Sequence, residues 1–301
     1  MLLDLPTPLV AARSLSAPGT DTYLKNETVL PTGSFKVRGA LQSLTVNLAK
    51  HSIAEVVAAS TGNHGAAVAW AAKAAGCRAT IFLPSNPNPV KAGRIRGLDA
   101  QIVESGADLS AATEAAYRYV KDTGSFFLHD AADPDVPAGT ATIGEEILVQ
   151  APAVNRIYVP MGDTALVRGV GAAVKRLKPA VTIVGVVAAN APSYLLSWQQ
   201  GRVVETDTAA TIADGLAVRQ PLAGNVTAIR RLVDEVHAVT EEEMLAAIRH
   251  LRRHEQITAE PSGAAATAAY LKDRSVEGVV VLLVTGGNVS PEVLARAGMP
   301  T

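Results

Sequence analysis

Residues 31–39 read Pro31-Thr32-Gly33-Ser34-Phe35-Lys36-Val37-Arg38-Gly39. Pro-Thr-Gly is turn chemistry, because proline presets one backbone angle and glycine accepts a positive one. An aromatic residue and a lysine follow, and Gly39 lets a helix pack closely. Most lysines sit exposed as solvated cations. A lysine beside an aromatic ring, at the start of a short element, also suits Schiff-base chemistry, in which the amine must lose its proton to act.

The remainder of the chain alternates apolar runs with helical patterns. Strands are expected at Tyr23–Glu27, Val56–Ser60, Ala79–Leu83, Gln101–Glu104, Phe126–Leu128, Ile157–Pro160, Val181–Ala188, Val236–Val239 and Gly278–Val284. Helices are expected at Asn63–Gly76, Pro89–Gly97, Leu109–Thr123, Ile143–Gln150, Leu166–Leu177, Glu241–His254 and Ser262–Leu271. Repeated β-α units of this length imply parallel sheets with helices on both faces. His129–Gly139, rich in Asp, Pro and Ala, reads as a loop between domains.

A chain of 301 residues can bury a large core, in one large or two modest domains. Its formal net charge is -1, and no basic run or aromatic-basic stripe marks a nucleic-acid partner. The single cysteine, Cys77, allows no internal disulfide and is in keeping with a reducing compartment. Asp4 stands among the first apolar residues without a basic segment before it, unlike a signal peptide. No apolar run is long enough to span a bilayer. A soluble, cytoplasmic protein without a membrane partner is expected.

Four further stretches join strands to helices or turns. Ser60-Thr61-Gly62-Asn63-His64-Gly65 leads into a helix N-terminus, where free amides and the helix dipole attract anions. Pro160-Met161-Gly162-Asp163-Thr164-Ala165-Leu166 does the same. Thr211-Ile212-Ala213-Asp214-Gly215 reads on its own as an Asp-Gly turn, and Glu260-Pro261-Ser262-Gly263-Ala264 as a proline-led helix start. Val284-Thr285-Gly286-Gly287-Asn288 closes the last strand.

Together with Thr7-Pro8-Leu9 and Tyr23-Leu24-Lys25-Asn26-Glu27, these stretches resemble, in type and order, the fold-type II pyridoxal-phosphate enzymes of the threonine/serine dehydratase and serine racemase family. The resemblance implies an α/β, two-lobed architecture like the β subunit of tryptophan synthase. A large lobe would comprise 1–45 and 131–301, and a small lobe, 46–130, would carry the substrate loop.

The same resemblance implies pyridoxal 5′-phosphate (PLP) as cofactor, in Schiff-base linkage to Lys36 and packed by Phe35. Ser60, Thr61, Gly62, Asn63 and His64 would hold the substrate carboxylate through amides and hydroxyls, with Asn63 also at the ring oxygen. No chemical role falls to the His64 ring. Gly162, Asp163, Thr164, Ala165 and Leu166 would cradle the phosphate, although a run of glycines is usual here and only Gly162 is kept. Asp163 is expected to turn away and cap the helix. Thr285 would meet the pyridine nitrogen. A neutral hydroxyl cannot force a proton onto that nitrogen as a carboxylate would, which favours elimination over transamination.

The implied activity is that of an ammonia-lyase, turning a β-hydroxy amino acid such as L-threonine or L-serine into a 2-oxo acid and ammonia. Lys36 would remove the α-proton. An amino-acid racemase on the same scaffold, or a non-catalytic PLP or amino-acid binding protein, are the alternatives. A homodimer is usual in the family. The resemblance ends near Asn288, so no isoleucine-sensing domain is expected. No metal site is expected either, because Val187 and Ser193, with Asn190 and Ala191 between them, stand where racemases carry acidic ligands.

Overall fold

A computed structural model describes residues 3–60, 62–87 and 89–300. In chain order the elements are β1 (Leu9–Ala11), β2 (Thr20–Asn26), α1 (Lys36–Leu48), β3 (Glu55–Ala59), α2 (Asn63–Ala75), β4 (Arg78–Leu83), α3 (Pro89–Arg96) and β5 (Gln101–Glu104). Then come α4 (Leu109–Thr123), β6 (Phe126–Phe127), α5 (Val136–Gln150), β7 (Val154–Pro160), α6 (Ala165–Leu177), β8 (Thr182–Ala188) and α7 (Ser193–Gln200). A 3-10 turn at Asp214–Leu216 is followed by α8 (Ala223–Leu232), β9 (Glu235–Val239), α9 (Glu241–His254), α10 (Pro261–Lys272), β10 (Gly278–Val284) and α11 (Pro291–Arg296).

The chain forms two compact units. One is built on Lys36–Gly139, the other on Asp4–Phe35 and the residues from Thr140 onward. The first is wider at both ends than the 46–130 lobe expected from sequence. Its lower boundary moves because α1 is one continuous helix and travels whole. Gly39 on α1 lies against Val136, and an added Cβ would come within 2.7 Å of a Val136 methyl.

The first unit holds a four-stranded, all-parallel sheet in the order β5-β4-β3-β6. Right-handed β-α-β crossovers of this kind place helices on the sheet faces, so strands become apolar throughout. β3 is buried from Glu55 to Ala58. α2 is buried almost along its length, from His64 to Ala72, and ends in left-handed Gly76.

The second unit holds a six-stranded sheet, β1-β2-β10-β7-β8-β9, in which only β1 runs antiparallel. β10 pairs with β2 and β7 and lies at the centre. Its GVVVLLV sequence is the continuous β-branched and aliphatic run that a strand covered on both faces requires. α10 is made of small residues from Pro261 to Ala269 and is buried from Pro261 to Tyr270, which lets it lie close to the sheet.

The Thr7-Pro8-Leu9 and YLKNE stretches have a structural explanation. Lys25 is fully buried, and its ammonium donates to Glu146 (2.5 Å), to the Gln150 amide oxygen (2.8 Å) and to the Thr7 carbonyl (2.8 Å). The Thr7 hydroxyl donates to Glu27, which is also buried (2.6 Å). A buried charge is tolerated only with such partners.

One sequence expectation is corrected here. The segment 129–139 is not loop throughout, since α5 begins at Val136 rather than at residue 143. Pro137 reads as a breaker but falls in the first turn, where its missing N–H costs no helical hydrogen bond.

Candidate active site

The expected site residues fall in both units, and each group is described within its own. In the second unit, the Gly33 amide donates to the Leu30 carbonyl (2.7 Å), closing the Pro-Thr-Gly turn. Gly33 has φ +70°, and a side chain there would press on Asn288. The segment then lies along the end of β10. The Phe35 amide donates to the Thr285 carbonyl (3.0 Å) and the Gly287 amide to the Gly33 carbonyl (2.9 Å). Asn288 donates to the Thr32 carbonyl (2.8 Å). The Phe35 ring packs in the aliphatic core beneath. Ser34 is fully buried beside Gly286, and its hydroxyl has no hydrogen-bond partner among the described residues.

Lys36 opens the first unit as the first residue of α1. Its amine pairs with the Asp130 carboxylate, and the two side chains are 12% and 22% exposed. The other Asp130 oxygen lies 3.4 Å from His64 Nδ1. His64 Nε2 is 3.0 Å from the Leu128 carbonyl. Asp130 carries no sequence motif. Its signal was position: it follows the short strand β6, and ligands in such sheets lie beyond strand C-termini.

The substrate loop follows β3. The Gly62 amide donates to the Ser60 hydroxyl (3.2 Å), and Gly62, which has no side chain to cap with, is the N-cap of α2. Gly65 passes so close to the Ser60 carbonyl that a Cβ would sit 2.6 Å from it. Asn63 opens the helix. His64 is buried with both ring nitrogens turned to Leu128 and Asp130. Thr61 lies outside the described residues.

The expected phosphate loop joins β7 to α6 in the second unit. Gly162 lies on the Gly215 carbonyl, so that any Cβ would collide with it. Thr164 is buried with φ +77°, a backbone conformation proper to glycine. Its hydroxyl accepts from Arg168 Nε (3.1 Å). Asp163 accepts the Ala165 amide on its carboxylate (3.0 Å), closing a turn ahead of α6, whose N-cap is Thr164 and not, as expected, Asp163. That amide is therefore already taken. The Asp163 carbonyl accepts from Asn225 (3.2 Å), whose amide also reaches the Tyr194 hydroxyl (3.3 Å). Burial pushes the Tyr194 phenol up, which keeps it neutral.

Two of the remaining motifs meet at Gly215, which lies against this loop. The Gly215 amide donates to the Ser262 hydroxyl (3.0 Å). Gly263 lies on the Gly286 carbonyl, and Gly286 has no room for a Cβ beside Glu260. Thr285, buried at the end of β10, completes the set. Among the described residues, no cluster of three or more His, Cys, Asp or Glu could hold a metal ion. No described helix is long and apolar enough to cross a membrane.

These donors suit a phosphorylated pyridine. The α6 N-terminus offers main-chain amides for an anion, the glycines keep side chains away from it, the orphaned Ser34 hydroxyl adjoins Gly286, and Thr285 offers a neutral hydroxyl. The fold and these groups define a pyridoxal-phosphate enzyme. The family model "pyridoxal-phosphate dependent enzyme" matches residues 1–286. The chain belongs to this family, and its cofactor is PLP.

Among its relatives, the L-threonine ammonia-lyase of Thermotoga maritima is 38% identical over 279 residues, covering 92% of this chain and 70% of that one. A catabolic L-threonine dehydratase of Staphylococcus aureus is 35% identical over 290 residues, covering 94% and 84%. Among solved structures, threonine deaminase isoform 2 of Solanum lycopersicum superposes with a TM-score of 0.92 at 30% identity, covering 97% and 82%. Maize serine racemase gives 0.91 at 29%, covering 97% and 91%.

Proposed function

We propose that the protein is an ammonia-lyase that converts L-threonine or L-serine to a 2-oxo acid and ammonia. One observation supports this above the racemase reading: 35–38% identity to threonine ammonia-lyases and dehydratases over more than nine tenths of the chain, against 29% to the maize racemase.

In this reading PLP supplies the electron sink for charge developing at the substrate α-carbon. Lys36 carries the cofactor and, once its amine is free, takes the α-proton. The amides at the start of α2, with Ser60, Thr61, Gly62, Asn63 and His64, hold the substrate carboxylate. Of these, His64 would contribute its backbone, since its ring is engaged elsewhere. Gly162, Asp163, Thr164, Ala165 and Leu166 hold the phosphate by main-chain amides. The Ala165 amide joins only by exchanging Asp163 for the phosphate. Phe35 anchors the lysine segment. Thr285 would offer the ring a neutral hydroxyl in place of a carboxylate, which suits elimination more than transamination. The acting form is a cytoplasmic homodimer, which light scattering at working concentration checks.

The test is a reaction with L-threonine or L-serine, followed by 2-oxo acid yield and chiral analysis of the remaining amino acid. 2-Oxo acid with little D-enantiomer is expected. D-amino acid as main product would overturn the lyase reading in favour of a racemase.

A further inference from the structure

Lys36 needs a neutral amine twice, to bear the cofactor and to accept a proton, yet its amine lies on a carboxylate. The Asp130 side chain bridges two bases. One oxygen takes the Lys36 amine. The other faces His64 Nδ1 at 3.4 Å. The far nitrogen of that ring, Nε2, meets the Leu128 carbonyl, which can only accept, so Nε2 carries the hydrogen.

We propose that Asp130 is a positioning residue for Lys36. It holds the lysine as an aimed ammonium whenever the amine is not bonded to the cofactor. A carboxylate in contact with an ammonium favours the charged form. Cofactor attachment must then take Lys36 off Asp130 and move its proton to the carboxylate or to solvent. When the free amine later accepts the substrate's α-proton, the same carboxylate receives the resulting ammonium.

Other charged groups lie on the same elements. His129 Nδ1 accepts from the Ala131 and Ala132 amides. Asp133 accepts from the Ser43 hydroxyl (2.7 Å). Arg38, two residues along α1 from Lys36, is buried. The arrangement is built into the fold by α1, by the loop after β6 and by the first turn of α2.

The inference rests on Lys36 as the cofactor-bearing lysine but not on the identity of the substrate. The test is pH-dependent labelling of the full chain, freed of PLP, with an amine-acylating reagent, read by peptide mass spectrometry at Lys36 and at the exposed Lys50. In the wild type the Lys36 midpoint is expected above that of Lys50. Asp130→Asn should lower the Lys36 midpoint by at least one pH unit, which is about tenfold faster labelling at a fixed pH below it. Asp130→Glu should restore most of the difference. PLP attachment, trapped by borohydride, should accelerate in the Asn variant in parallel. An unmoved Lys36 midpoint in Asp130→Asn overturns the inference. If that variant does not fold, a wild-type Lys36 midpoint no higher than that of Lys50 overturns it equally. Failure of the functional reading is distinct, because it shows as a wild type that fixes no PLP at Lys36.

Discussion

Thr164 gives the sharpest quantitative test of the phosphate loop. Its φ of +77° places a β-branched residue in the left-handed region. That conformation costs an L-residue roughly 1–2 kcal/mol. Thr164→Gly removes this strain, but glycine gives up roughly 0.5–1 kcal/mol of backbone entropy. It also loses the bond from Arg168 Nε to the Thr164 hydroxyl, a net of about 0.5–1.5 kcal/mol. The change removes a buried methyl as well, at a 1% exposed site, about 0.8 kcal/mol, so Thr164→Gly should cost about 1 kcal/mol. Thr164→Ala loses the same bond and the same methyl and keeps the strain. The two variants differ by the strain relieved less the backbone entropy, so glycine should exceed alanine by about 0.5–1 kcal/mol, the reverse of their order inside a helix. Urea unfolding of the two variants side by side measures it. Alanine equal to or more stable than glycine would refute the left-handed assignment and the strain argument with it.

Two further outcomes follow from local geometry. Gly162→Ala drives a methyl into the Gly215 carbonyl. It should shift the loop and weaken PLP binding at least tenfold in a fluorescence titration, with secondary structure retained by circular dichroism. Burial would raise the pKa of Glu55, but bonds from Ser125, Thr80 and Tyr119, with the Arg78 charge, outweigh it and hold the carboxyl below its ordinary 4.5. A depressed folded value means stabilisation present above 4.5 and lost as pH falls through the folded value. Glu55→Gln should thus flatten the acid limb of a melting-temperature profile below pH 4.5, and an unchanged limb would contradict it.

Much of this architecture is legible where local signals agree. α9 spans the expected residues because Thr240 and Glu243 form a capping box, with acids in the first turn and bases in the last. β10 also matches its expected span, as an unbroken apolar run ending at Thr285-Gly286. α7 and α8 escape a sequence reading because their N-caps, Pro192 and Leu222, make no side-chain cap bond, and α7 is only eight residues long. The start of α5 is hidden by Pro137. At the site, motif residues were readable because backbone constraints leave glycines in fixed spacing, as at Gly162 and Gly286. Asp130 was not, because its role depends on a tertiary pairing with α1 and α2 that no spacing encodes. Thr164 was readable as a departure, whereas its left-handed backbone was not.

The central claim is that Lys36 carries the cofactor. Borohydride reduction of the PLP-loaded protein followed by peptide mapping tests it directly. The account predicts one phosphopyridoxyl group per chain, on Lys36, and none after Lys36→Ala, a variant that should still fold and lose nearly all 2-oxo acid formation. The label on another lysine, or undiminished turnover without Lys36, would contradict it.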